Sequence, residues 1–136
     1  MPEVLVPLGP DAARLTWSIL DLGDVISWEE LAIDLPALER RVFNSMTGLH
    51  LSFNELRDFA RRTRQVIDGL FVACADPAEL PQRQDSDDTI LAHAVIAVAA
   101  FDSTFWLVSA SDDVLRRVGS CFPDMTEHDG GPLRAW

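Results

Sequence analysis

Residues 90–101 read ILAHAVIAVAAF, an apolar run interrupted only by His93. Ile90, Ala92, Ala94, Ile96, Val98 and Ala100 fall on one side of an extended chain. Leu91, Val95, Ala97, Ala99 and Phe101 fall on the other. A strand apolar on both faces has to lie inside a sheet that is covered on both sides. The many alanines would also suit a buried helix. Ile96 and Val98, which are β-branched, and the alternating residues that follow favour a strand over 90–101. Asp102-Ser103 is then a turn, with Asp102 accepting turn amides. Phe105, Leu107 and Ser109 alternate with Thr104, Trp106 and Val108 in a second hairpin strand. The run is too short to span a bilayer, so no membrane partner is expected.

The helix signals lie on either side. Ser52-Phe53-Asn54-Glu55 has the form of a capping box. Leu56, Phe59, Ala60, Thr63 and Ile67 follow at spacings of three and four, which predicts a helix ending at Gly69. A second S-x-x-E, Ser27 to Glu30, predicts a short helix. Residues 36–46 form another, with Leu38, Val42 and Met46 four apart and Gly48 as its stop. Ser111 caps a last helix, where Asp112 and Asp113 complement the positive end and Val114, Leu115, Val118, Cys121 and Phe122 make an apolar stripe. Residues 4–8 are expected as an edge strand before a Gly9-Pro10-Asp11 turn, residues 14–22 as a second strand, and residues 70–75 as a short buried strand. The expectation is one α+β domain over residues 1–136: a small antiparallel or mixed sheet of about four to five strands, covered by three to four helices. An exposed acidic loop over 76–89 and a poorly ordered tail over 124–136 complete it. Trp106 is expected on the core face, beneath the last helix, with Phe105 on the opposite face.

Charge limits the partners. Eleven arginines and no lysines face 22 carboxylates, a formal charge of -11. Residues 39–75 hold six of the arginines, so the acidic excess sits toward both ends. Such a field repels nucleic acid and suits a protein partner with a basic surface. Arg57, Arg61 and Arg64, with Arg40 and Arg41 near them, would make an anion patch if they clustered. Pairing with the protein's own carboxylates is the simpler use of them. The opening MPEVLVPLGPD lacks a basic region followed by an apolar run, so no signal peptide is expected and the cytoplasm is the expected location.

Catalytic signatures are sparse. A phosphate-binding glycine loop and a G-x-S-x-G elbow are both missing from the sequence. Cys74, His93, Asp102 and His128 are the residues to inspect for a nucleophile and its base, provided the fold brings them together. His93 alone reads as a core histidine. Cys74 and Cys121 read as buried thiols, and a disulfide between them depends on their separation in space. Glu127, His128 and Asp129 lack the spacing of a metal site, so neither metal nor cofactor is expected.

The stretch 101–113, FDSTFWLVSASDD, combines an aspartate-serine turn, an aromatic-tryptophan strand and a capped helix. It resembles a segment of small uncharacterised bacterial proteins, some of the immunity or accessory type encoded near effector toxins. The resemblance implies an interaction role and brings no catalytic residues. The leading expectation is therefore a protein-binding module, inhibitory or immunity-like, for a basic partner. Its contacts would be Asp85, Asp87, Asp88, Asp112 and Asp113, with Trp28 or Trp106 as the aromatic anchor. The alternatives are a small hydrolase or transferase whose site assembles only in three dimensions, and a structural role such as a homodimer formed through a sheet edge.

Overall fold

The computed structural model describes residues 1–102, 105–128 and 132–134. Its strands are β1 Thr16–Ser27, β2 Leu49–Leu51, β3 Thr63–Cys74, β4 Ile96–Phe101 and β5 Phe105–Ser109. They form one antiparallel sheet in the order β2-β1-β3-β4-β5. Its helices are α1 Pro2–Leu5, α2 Gly9–Ala13, α3 Leu35–Phe43, α4 Phe53–Arg62, α5 Asp87–His93 and α6 Asp112–Cys121. The protein is thus a small α+β domain.

Both faces of the sheet are covered, but by different kinds of structure. Trp17, Ile19, Val66, Phe71 and Val98 pack against Leu5, Ala12, Val42, Leu56 and Val118 from the helices. On the other face Leu20, Leu70, Val72, Cys74 and Ala97 meet Leu80, Ile90 and Leu133. Chain from the loop after β3, α5 and the C-terminal region therefore provides the second cover.

The N-terminal residues are helical, not an edge strand. Pro2 and Pro10 stand in the first turns of α1 and α2, where a missing amide costs nothing. Val4, Leu5, Leu8 and Ala12 are buried by this arrangement. Strand β1 also runs past Gly23, where a break was expected, with register shifts against β3 on both sides of Leu22. Such irregularities let a long strand bend without losing its partner.

Ser27 caps no helix. It remains in β1 opposite Thr63, and the Trp28 amide donates to the Arg62 carbonyl. The turn Glu29–Leu31 that follows has no side-chain cap. Helix α3 is instead capped by Asp34, whose Oδ1 accepts from the Ala37 amide at 3.0 Å, and it ends before Met46. Gly48, at φ 78°, presses the following turn onto β1, where a Cβ would collide with the Ile19 carbonyl.

The Ser52–Glu55 capping box is present as predicted: Glu55 N donates to Ser52 Oγ, and Ser52 N to Glu55 Oε2. The helix stops at Arg62, however, and Thr63 opens β3. Thr63 Oγ1 donates back to the Phe59 carbonyl at 2.7 Å. The helical spacing beyond Thr63 loses to pairing with β1 and then β4, which outweighs weak local propensity.

The run 90–101 is divided. Ser86 accepts from Thr89 N and starts α5 in the midst of the expected loop; only Ile96–Phe101 is strand. His93 is therefore exposed near a helix end, with Nδ1 2.8 Å from the Thr89 carbonyl, and is not a core histidine. The expected loop is further fixed by buried Leu80 and Pro81. Within the expected tail, Leu133 is buried and Arg134 is ion-paired to Asp21 and Asp87. Ser103, Thr104, Asp129 and Trp136 lie outside the described residues.

Trp106 and Val108 point to the helical face, against the cluster that holds Val114 and Val118. Phe105 stacks on Phe101 at 5.2 Å, toward the other face. Trp106 is only half-buried, because β5 is the sheet edge. Trp17 is fully enclosed, stacks on Phe53 at 5.9 Å and donates Nε1 to the Ala12 carbonyl. In urea unfolding, Trp17→Ala should cost about 3–5 kcal/mol and Trp106→Ala about 2 kcal/mol. Equal losses would contradict the edge position of Trp106.

Candidate functional site

Helices α3 and α4 lie side by side on the helical face, over β1 and β2, and leave a groove between them of about 550 Å³. Its floor is aliphatic and aromatic: Ile19 of β1, Leu49 and Leu51 of β2, Leu38 of α3, Phe59 of α4, and Ile33 at one end. Each wall follows from helix periodicity. Asp34, Ala37 and Arg41 stand along α3, and Asn54, Glu55, Asp58 and Arg62 along α4, at helical spacings.

Much of the rim is already engaged. Asp34 and Glu55 cap their own helices. Asp58 accepts from Arg61 at 2.9 Å, and Arg62 Nη2 donates to the Ala32 carbonyl at 2.8 Å. Arg41 makes no ion pair among the described residues. A carboxylate that accepts one or two hydrogen bonds still has lone pairs for a cation. The groove therefore offers an apolar floor below three carboxylates and two guanidinium groups, a volume that suits apolar side chains of a bound segment.

The four candidate catalytic residues do not converge on this groove. Cys74 is buried on the opposite face of the sheet, where its Sγ contacts the main-chain carbonyls of Glu79 at 3.5 Å and His93 at 3.4 Å. It meets the His93 backbone, while the imidazole engages Thr89. Asp102 follows the far end of β4, about 20 Å along the strand from His93. Its amide donates to Asp68 Oδ1 at 2.9 Å, and its φ is 45°. His128 is exposed beyond α6. Among the described residues, no group of three or more His, Cys, Asp or Glu is placed to hold a metal ion, and no helix is long and apolar enough to cross a membrane.

The expected contact residues divide into two sets. Asp85 and Asp87 serve internal bonds: Asp85 Oδ2 accepts from Gln82 N, and Asp87 accepts from Leu133 N and Arg134. Asp88, Asp112 and Asp113 are exposed, and Asp113 pairs with Arg116 at 3.0 Å. Trp28 is 46% exposed, with the Arg64 guanidinium 5.8 Å from its ring centroid. The arginine stripe is not continuous. Arg57 and Arg61 belong to α4 and Arg40 and Arg41 to α3, whereas Arg64 lies on β3 over Trp28.

Sequence patterning marked Leu38 and Phe59 as apolar helix positions but did not mark the groove. Its floor is drawn from β1, β2 and both helices, which only the fold places together. Comparison with protein-family models, curated proteins and solved structures returns no match.

Both cysteines are free, Cys74 buried and Cys121 exposed. Burial pushes the Cys74 thiol above its ordinary pKa. The folded state then holds a proton that the unfolded chain releases above about pH 8.5. Stability contributed by this thiol is full below that pH and falls as pH rises toward the folded pKa. Cys74→Ala should flatten this alkaline decline. In the native protein a maleimide should modify Cys121 rapidly and Cys74 only after unfolding, as read by mass spectrometry.

Proposed function

We propose that this protein is a protein-binding module whose α3–α4 groove receives an apolar segment of a basic partner. The observation that carries the reading is the groove itself: an apolar floor open to solvent, rimmed by Asp34, Glu55 and Asp58 together with Arg41 and Arg62, in a chain of charge -11. Several arginines are engaged within the molecule. Arg14, Arg61, Arg116, Arg117 and Arg134 pair with the protein's own carboxylates, and Arg83 is bound to main-chain carbonyls. A 2.7 Å hydrogen bond from Arg117 lowers the Asp11 pKa. The net charge of -11 gives an acidic field that speeds encounter with a cationic partner and disfavours acidic competitors.

Trp28, whose amide donates to the carbonyl of groove-lining Arg62, supplies an exposed aromatic anchor. In this reading the protein acts by covering a basic surface, as an inhibitor or immunity-type protein would, in the cytoplasm. The test is co-purification from the native cell at physiological salt, with Ala37→Arg as the groove variant. Ala37 lines the wall, and arginine is well tolerated in a helix. The added cation should weaken the complex on the order of tenfold or more, and rising salt should weaken the wild-type complex. A stoichiometric complex indifferent to folded Ala37→Arg, or no stoichiometric partner across several growth states, would overturn the proposal.

A further inference from the structure

The sheet ends in two dissimilar edges. Strand β2 is three residues long, and both α3 and α4 pack against it, so it offers little backbone for further pairing. Strand β5 has five residues and is hydrogen-bonded in the sheet to β4 alone. Within Phe105–Ser109 there is no charge, no proline and no inward-facing polar group larger than serine, and among the described residues no further strand pairs with it. Phe105 is 51% exposed beside it.

The local charge decides where two copies can approach. Each molecule carries -11, yet no charged residue lies between Asp102 and Asp112. Two copies repel one another over most of their surfaces, and this neutral stretch is where they can approach most closely.

We infer that β5 pairs antiparallel with β5 of a second copy, joining two five-stranded sheets into one of ten strands across a two-fold axis. With the axis at Leu107, Trp106 lies opposite Val108 of the second copy on the helical face, and Phe105 opposite Ser109 on the other; beyond the strands the same register brings Asp102 toward Asp112 of the second copy, a like-charge pair that salt screens. Aromatic rings beside β-branched residues are a favourable cross-strand combination. The pairing is isologous, so it closes at two copies. Five residues of strand make a small interface, which gives a weak, concentration-dependent dimer. The α3–α4 grooves lie toward the β2 edge, so the dimer leaves both open and would carry two partner segments. The inference does not depend on what those grooves bind.

Sedimentation velocity over a concentration series, at low and at high salt, tests it on the purified chain. Dimerisation should strengthen with salt, because screening relieves like-charge repulsion, whereas a complex with a basic partner weakens. Phe105→Glu should weaken dimerisation on the order of tenfold or more. Met46→Glu adds the same charge at an exposed position between α3 and β2, at the other end of the sheet, and should alter it by no more than about twofold. Hydrogen exchange of the wild-type protein at low and high concentration needs no variant, and the amides of residues 105–109 should gain protection with concentration. A strict monomer at high micromolar concentration in high salt would overturn the inference. So would a dimer that leaves 105–109 unprotected or tolerates folded Phe105→Glu.

Discussion

The β1–β3 ladder is the constraint on which the remainder of the fold rests. The two strands are twelve residues each and remain paired from Thr16 opposite Cys74 to Ser27 opposite Thr63. Both carry large apolar residues on both faces in their central parts, so neither face can be left to water. The helices cover one face, and a less regular collection of segments covers the other. Where the ladder shifts register, Asp21 becomes a buried carboxylate. Its Oδ1 accepts the Leu22 amide, and its Oδ2 faces Arg134 at 3.6 Å. A buried charge of this kind is tolerable only when it is paired and hydrogen-bonded.

Two arginines connect the irregular cover to the sheet. Arg83 Nε donates to the Leu20 carbonyl, and its Nη2 reaches the Val42 and Ser45 carbonyls beyond the end of α3. Its guanidinium also lies 4.7 Å from the Phe43 ring centroid. Arg134 donates to the Arg83 and Asp85 carbonyls and pairs with Asp87. The planar, multi-donor guanidinium suits this use, since one side chain satisfies several carbonyls left free by turns and helix ends. Arg83 and Arg134 direct their hydrogen bonds to internal acceptors, while the acidic field follows from the excess of 22 carboxylates over 11 arginines.

The groove and the free edge occupy opposite ends of the same sheet. The groove lies between α3 and α4 over β1 and the three-residue β2. The edge is the side of β5 away from β4, its one strand partner among the described residues. One surface is charged and apolar in combination, the other neutral and backbone-rich. They therefore differ in the partner each can hold and in their response to salt.

Local chemistry was legible wherever a side chain acts on its own backbone. The Ser52–Glu55 box, the Ser111 cap, the β4–β5 hairpin and the α+β class could all be read from short-range pattern, while the choice between an antiparallel and a mixed sheet could not. Ser86 before Asp87 and Asp88 was an equivalent cap signal, obscured by the apolar run that follows. Ser27 looked like a cap and was not one, because strand pairing with Thr63 holds it extended. Thr63, Val66 and Ile67 fit a helix by spacing, yet β1 and β4 on either side make them strand. The groove floor, the Asp21–Arg134 pair and the separation of Cys74 from the His93 ring were not legible, since each joins residues distant in the chain. By itself the sequence determined charge, capping and apolar periodicity, which are properties of neighbours within a few residues. Tertiary structure decided where α4 ends, which edge stays free and where a groove opens, because burial between distant segments outweighs local preferences that differ by only about 1 kcal/mol per residue.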